Sequence, residues 1–170
     1  MYIIISGTNR VGSNTLKVAR HYQQILTEKG VENQLISLEG MNLLERDAAF
    51  AQLEAEVLVP NHRFIFVIPE YNGSFPGALK LLFDTAKTHG IWFYKKAMLV
   101  GVATGRAGNL RGMDHLTAVL HHMKMTVYPI QLPLSKVDQL MSDAGVFHDA
   151  GTLQAIEQQI NGFIDWADKN

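Results

Sequence analysis

The chain has 170 residues, 47% of them hydrophobic and 18% charged, a length and balance that support a substantial core and exclude a disordered polymer. A formal net charge of −1 leaves no electrostatic footprint for nucleic acid or an anionic membrane, so any bound anion must be held locally. With no cysteine, disulfides, thiolate metal sites, iron–sulfur clusters and a cysteine nucleophile are excluded together.

Met1 leads directly into an apolar segment without a basic flank or cleavage pattern, and no apolar run reaches the roughly 18 residues of a membrane span, so a cytoplasmic location is expected. Ile3, Ile4 and Ile5 form an uninterrupted β-branched run, the mark of a strand buried on both faces of a parallel sheet. The run stops at Ser6-Gly7, and a polar loop over 8–13 leads into a helix from about Asn14. Free N–H groups at that helix start, with the helix dipole, offer a seat for an anion. Leu16, Ala19, Tyr22 and Leu26 fall at helical spacing, and the helix ends near Lys29-Gly30. A second strand is expected over 32–38, followed by a weakly periodic helix over 47–58.

The run Arg63-Phe64-Ile65-Phe66-Val67-Ile68-Pro69 is a third buried strand, ended by proline, and a glycine-rich loop over 70–77 follows it. Pro76 is placed to open a helix over 77–86. A fourth strand over 95–104 ends in a loop over 105–112 (GRAGNLRG), and a helix over 112–123 leads to a fifth strand over 126–130. Leu153, Ile156, Ile160, Phe163, Ile164 and Ala167 share one face of a last helix over 152–168. Alternating strands and helices imply a parallel α/β sheet with right-handed crossovers and both faces covered. No repeat, low-complexity segment or linker interrupts residues 1–170, which read as a single domain. The polar, glycine-bearing loops follow strands one, three and four, at the sheet edge where such folds bind ligands.

The first loop excludes some nucleotide classes. Gly7 and Gly12 have Walker A spacing, but Ser13 and Asn14 stand where the lysine and hydroxyl residue must be, and no GxGxxG fingerprint is present. Glu39, at the end of strand two, could imitate a ribose-binding acid, but a dinucleotide domain would still lack its fingerprint. Taken alone, the loop serves equally as a monophosphate cradle, with Thr8, Ser13 and Thr15 hydroxyls and Arg10 as donors, or as a simple helix cap beside a solvated arginine. His115, His121 and His122 share one predicted helix, but no spacing completes three or four ligands, so no metal is expected. Lys80 and Asp84 read as a surface pair four residues apart. Trp92, Phe93 and Tyr94 read as packing or subunit surface.

SGTNRVGSNT followed by PEYNGSFPGALK resembles the flavodoxin-like NAD(P)H-dependent FMN reductase family, which includes quinone, azo-dye and chromate reductases. The first stretch is similar to the family's GSxRxxSxN through Gly7, Thr8, Arg10 and Ser13, and the second to its PEYNGSxPGxLKN from Pro69 to Lys80. Thr15 and Leu81 each stand where the family patterns have asparagine. The resemblance implies a flavodoxin-like three-layer αβα sandwich whose five-stranded parallel sheet runs in the order 2-1-3-4-5. It implies that Thr8, Arg10, Ser13, Asn14 and Thr15 hold the phosphate of bound FMN. Pro69, Glu70, Tyr71, Asn72 and Gly73 would border the isoalloxazine ring, with Thr104, Gly105 and Arg106 on its pyrimidine side. Arg111 could serve the flavin or the phosphates of NADPH. The implied activity is a ping-pong oxidoreductase. NADPH or NADH reduces the flavin and leaves, and a quinone, azo compound, metal oxyanion or free flavin takes the electrons with no acid–base side chain required. A homodimer or homotetramer is implied as well. The alternative is a flavodoxin-like electron carrier or flavin-binding module, and a net charge of −1 speaks against the carrier.

Overall fold

The structure is a computed structural model that describes residues 1–169. Its parallel sheet runs in the order β2-β1-β3-β4-β5 and is built from β1 (Tyr2–Ser6), β2 (Asn33–Ser37), β3 (Arg63–Pro69), β4 (Lys96–Val102) and β5 (Thr126–Val127), with a short β6 (Leu132–Leu134) also paired to β4. Sheet order 2-1-3-4-5 with helices on both faces is the flavodoxin-like arrangement. The intervening helices are α1 (Asn14–Glu28), α2 (Ala48–Leu53), α3 (Gly77–Thr85), α4 (Thr88–Ile91), α5 (Leu110–His122) and α6 (Ala150–Lys169).

The continuous apolar strands follow from burial on both sides. Ile3, Ile5, Phe64, Phe66, Ala97 and Leu99 face one core, with α2, α3 and α5. Tyr2, Ile4, Ile65, Val67, Met98 and Val100 alternate with them and face a second core, with α1 and α6. Trp92 is fully buried in the first core, 5.0 Å from the Phe83 ring and 5.5 Å from the Phe64 ring, whereas Tyr94 is exposed.

Three local departures from the expected elements have identifiable causes. The fifth strand is expected over 126–130 but is broken. The Tyr128 N–H makes the last bond of that ladder, 2.7 Å from the Ala97 carbonyl, and Pro129 has no N–H to continue it. Pairing with β4 resumes only at Leu132. The buried Gln159 side chain of α6 spans the gap, donating through Nε2 to the carbonyls of Leu99 and Ile130, each at 3.0 Å, while its Oε1 accepts the Tyr22 hydroxyl at 2.8 Å. The helix expected over 47–58 is capped by Asp47, whose carboxylate accepts the Phe50 N–H at 2.9 Å, but it widens into a π-helical turn at Glu54–Leu58. The Lys95 ammonium closes that turn, donating to the carbonyls of Leu58 at 2.6 Å and Val59 at 2.8 Å. Finally, α5 begins at Leu110, two residues earlier than expected, because Asn109 occupies the cap position with φ 66°.

Candidate functional site

The first loop leaves β1 with Gly7, whose N–H bonds the Val67 carbonyl of β3 at 2.8 Å. A Cβ on Gly7 would lie 3.0 Å from Ile68 Cγ2 and 3.2 Å from the Val67 carbonyl, so the loop turns across β3 at a point where a side chain would crowd it. Gly12, with φ 62°, turns the loop into α1. Ser13 caps the helix, its Oγ accepting the Leu16 N–H at 3.1 Å. The cap and the anion seat are therefore compatible: the Ser13 hydroxyl hydrogen is still available to a ligand. The N–H groups of Ser13, Asn14 and Thr15 make no hydrogen bond among the described residues. These donors lie together at the positive end of a helix of 15 residues.

The second loop is a tight hairpin. Tyr71 and Ser74 exchange both backbone bonds, at 2.9 and 3.1 Å, around Asn72 (φ 52°) and Gly73 (φ 75°). Two consecutive left-handed residues make a type I′ turn, for which Asn-Gly is the preferred pair. Helix α5 braces this turn. His115 Nδ1 lies 2.9 Å from Ser74 Oγ, and a Cβ on Gly73 would lie 2.9 Å from Arg111 Nη1. The third loop rests on the sheet through Asn109, fully buried, whose Nδ2 donates to the Ile68 carbonyl at 3.1 Å.

A cleft of about 240 Å³ opens between these loops at the carboxyl edge of the sheet. Arg10, Ser13, Asn14 and Thr15 line it from the first loop and α1, Pro69, Glu70 and Tyr71 from the second loop, and Thr104 from the third. Val11, Val102, Ala103 and Val137 complete its lining. Five expected site residues lie outside that lining. Thr8 is buried behind it, its hydroxyl 2.7 Å from the Tyr71 hydroxyl and accepting the Arg10 N–H at 3.3 Å. Asn72 and Gly73 form the turn tip, and Gly105 and Arg106 occupy the exposed rim. Tyr71 also lines a wider hollow of about 420 Å³ with Leu44 and Leu81, which lacks the donors of the anion seat.

One wall has no counterpart in the motifs. After β6 the chain pins the third loop from outside: Lys136 N–H bonds the Gly105 carbonyl at 3.0 Å, Val137 N–H the Ala103 carbonyl at 3.1 Å, and Ser135 Oγ the Arg106 carbonyl at 2.6 Å. Its only local signal is the Pro133 that precedes it. Glu39, at the end of β2, reaches the first loop from the other side and accepts the Gly12 N–H at 3.4 Å. No group of three or more His, Cys, Asp or Glu side chains able to hold a metal occurs among the described residues, and none of the described helices is long and apolar enough to cross a membrane.

Comparison with known proteins agrees with this architecture. The family model for NADPH-dependent FMN reductase matches residues 2–139. An NAD(P)H-dependent FMN reductase of Pseudomonas aeruginosa is 26% identical over 174 residues, covering 95% of this chain and 92% of that protein. Among solved structures, the flavoenzyme NAD(P)H:(acceptor) oxidoreductase FerB from Paracoccus denitrificans superposes with a TM-score of 0.76 at 20% identity, covering 99% and 96% of the two chains. A mutant flavodoxin of Pseudomonas aeruginosa superposes with a TM-score of 0.66 at 17% identity and 99% coverage of both chains, a likeness of fold.

Proposed function

The chain belongs to the NADPH-dependent FMN reductase family, and from that premise we propose that it is a single-domain, FMN-dependent NAD(P)H oxidoreductase acting by two half-reactions on a small-molecule acceptor. The observation that carries the reading is the convergence of an anion seat with residues of the second and third loops on one cleft of about 240 Å³. The unpartnered N–H groups of Ser13, Asn14 and Thr15, the Ser13 hydroxyl and the Arg10 guanidinium make a donor set suited to a single phosphate dianion. The absence of a P-loop lysine and of GxGxxG favours a mononucleotide over a nucleoside triphosphate or dinucleotide.

In this reading Arg10, Ser13, Asn14 and Thr15 hold the FMN phosphate, with Thr8 behind them. Pro69, Glu70 and Tyr71 border the ring, Asn72 and Gly73 give the loop its turn, and Thr104, Gly105 and Arg106 serve the pyrimidine side. Bound FMN supplies a two-electron carrier that can accept hydride from NAD(P)H and pass electrons to a quinone, azo compound, metal oxyanion or free flavin. The protein's part is orientation and electrostatics. The I′ turn at Asn72-Gly73 fixes the second loop, and the ties from Ser135, Lys136 and Val137 hold the third-loop backbone. A homodimer or homotetramer is part of the same proposal.

Anaerobic mixing of FMN-loaded protein with NADPH, and separately with NADH, tests the activity. Rapid bleaching of the flavin band is expected with at least one nucleotide. A flavin that stays oxidised with both would leave an electron carrier or binding module in place of a reductase. Arg10→Ala should weaken FMN retention by about tenfold or more while leaving the unfolding midpoint nearly unchanged, because Arg10 is exposed.

A further inference from the structure

Tyr71 lies where the second loop meets the first, and its side chain is engaged at both ends. Its hydroxyl is 2.7 Å from Thr8 Oγ1, and the Arg10 guanidinium carbon lies 4.1 Å from its ring centroid. The Arg10 N–H also bonds Thr8 Oγ1, at 3.3 Å, so Thr8, Arg10 and Tyr71 form a closed set of contacts. Tyr71 itself is restrained, because both its backbone groups are paired with Ser74 across the I′ turn that Arg111 and His115 brace.

From these contacts we infer that Tyr71 is a positioning residue for the phosphate seat: its ring holds the Arg10 guanidinium, and its hydroxyl holds the Thr8 corner of the first loop. The inference rests on the proposed binding of the flavin phosphate by Arg10. An arginine alone on an exposed loop would sample many rotamers and lose that freedom on binding. Stacked on Tyr71, its planar group is already confined beside Ser13 and the start of α1. The hydroxyl contact acts on the backbone: with Thr8 held, the path from Gly7 to Arg10 is fixed at its middle. Tyr71 thereby links the stability of the second loop to anion affinity in the first. This differs from lining the flavin ring, since a ring contact acts on riboflavin and FMN alike.

The experiment titrates wild type, Tyr71→Phe, Tyr71→Leu, Arg10→Ala and the Arg10→Ala/Tyr71→Leu double variant with FMN and with riboflavin, followed by flavin fluorescence, with far-ultraviolet circular dichroism to verify folding. Tyr71→Leu should lower FMN affinity about tenfold more than riboflavin affinity, because any ring contact it loses weakens both flavins alike and only the phosphate seat distinguishes them. Tyr71→Phe keeps the stacking surface and loses the Thr8 bond, so about a threefold loss specific to FMN is expected. In the Arg10→Ala background the Tyr71→Leu effect should shrink to that hydroxyl component. Equal losses for both flavins, or no loss for either, would overturn the inference. If Tyr71→Leu does not fold, Tyr71→Phe decides it on the same ratio. Should Arg10→Ala leave the preference for FMN over riboflavin intact, the phosphate assignment itself fails and takes this inference with it; an Arg10 effect without a Tyr71 effect removes this inference alone.

Discussion

Gly101→Ala is the substitution for which the structure makes the sharpest demand. Gly101 lies in β4, paired with Ile68 on one side and Pro133 on the other. A Cβ there would lie 2.0 Å from the Gly108 carbonyl oxygen, 3.0 Å from Met113 Cε and 3.1 Å from Met113 Sδ. The methionine can swing aside, but the carbonyl must retreat by about 1 Å to reach a tolerable contact, and Gly108 is itself packed against Pro133. Moving it pulls on Asn109, whose buried amide would lose the Ile68 carbonyl. Overpacking costs about 1–3 kcal/mol and a stranded buried amide about 1–3 kcal/mol more, so the expected loss is about 2–6 kcal/mol. With a urea m-value of about 2 kcal/mol per molar, the unfolding midpoint of FMN-free protein should fall by about 1–3 M. Gly105→Ala is the internal control: a Cβ there meets nothing within 4 Å and its φ is ordinary. That variant should unfold like wild type while binding FMN more weakly, if the ring is approached by the Gly105 backbone. A Gly101→Ala midpoint within about 0.2 M of wild type would refute the argument that the third loop is clamped to the sheet.

Two other substitutions probe the framework that carries the site. Gln159→Leu would preserve approximate volume but strand the Tyr22 hydroxyl and the carbonyls of Leu99 and Ile130, for an expected loss of about 2–5 kcal/mol in urea unfolding, whereas Gln24→Leu, at an exposed helix pair, should cost less than about 0.5 kcal/mol. Lys95 is tested by pH: burial lowers its pKa from 10.5 to about 8, so between pH 8 and about 10.4 the unfolded chain binds more protons than the folded one, and stability from this group rises with pH through that window. Wild type measured against Lys95→Met should gain up to about 3 kcal/mol between pH 7.5 and 10.5, and a flat or falling difference would show that the two carbonyl bonds outweigh the desolvation.

The elements that could be read in advance are those whose determinants are local. Ile3 to Ile5 and Phe64 to Ile68 advertise burial on both faces because a parallel strand covered by helices has no polar side to alternate with. Pro76 marks the start of α3 through its own φ, and Asp47 caps α2 through its own carboxylate. The unread features depend on distant partners. Pro129 was visible, but the strand that resumes beyond it needs Gln159 to satisfy the carbonyls of the gap, and that residue is 29 positions from Ile130. The π-helical turn likewise needs the Lys95 ammonium at its carbonyl end, 37 positions from Leu58.

The same distinction runs through the cleft. Its three motif loops were legible because each spends glycine, proline or asparagine where the backbone must turn sharply: Gly12 into α1, Asn72-Gly73 at the hairpin, and Asn109 before α5. Residues that merely close or brace the cleft carry no such mark. Val137 is an ordinary apolar residue until β6 brings it beside Ala103, and Arg111, which the sequence offers as a partner for the flavin or the NADPH phosphates, shows its bracing contact only where the absence of a side chain at Gly73 lets its guanidinium lie against the turn. Thr8 shows the converse, a motif residue whose buried hydroxyl is taken by Tyr71 and Arg10. A motif thus marks where the backbone must present donors, whereas the partners that hold those donors still come from segments that fold against it. For this reason the contacts that join the first and second loops through Tyr71 arise only in the folded chain, although every residue in them belongs to a motif.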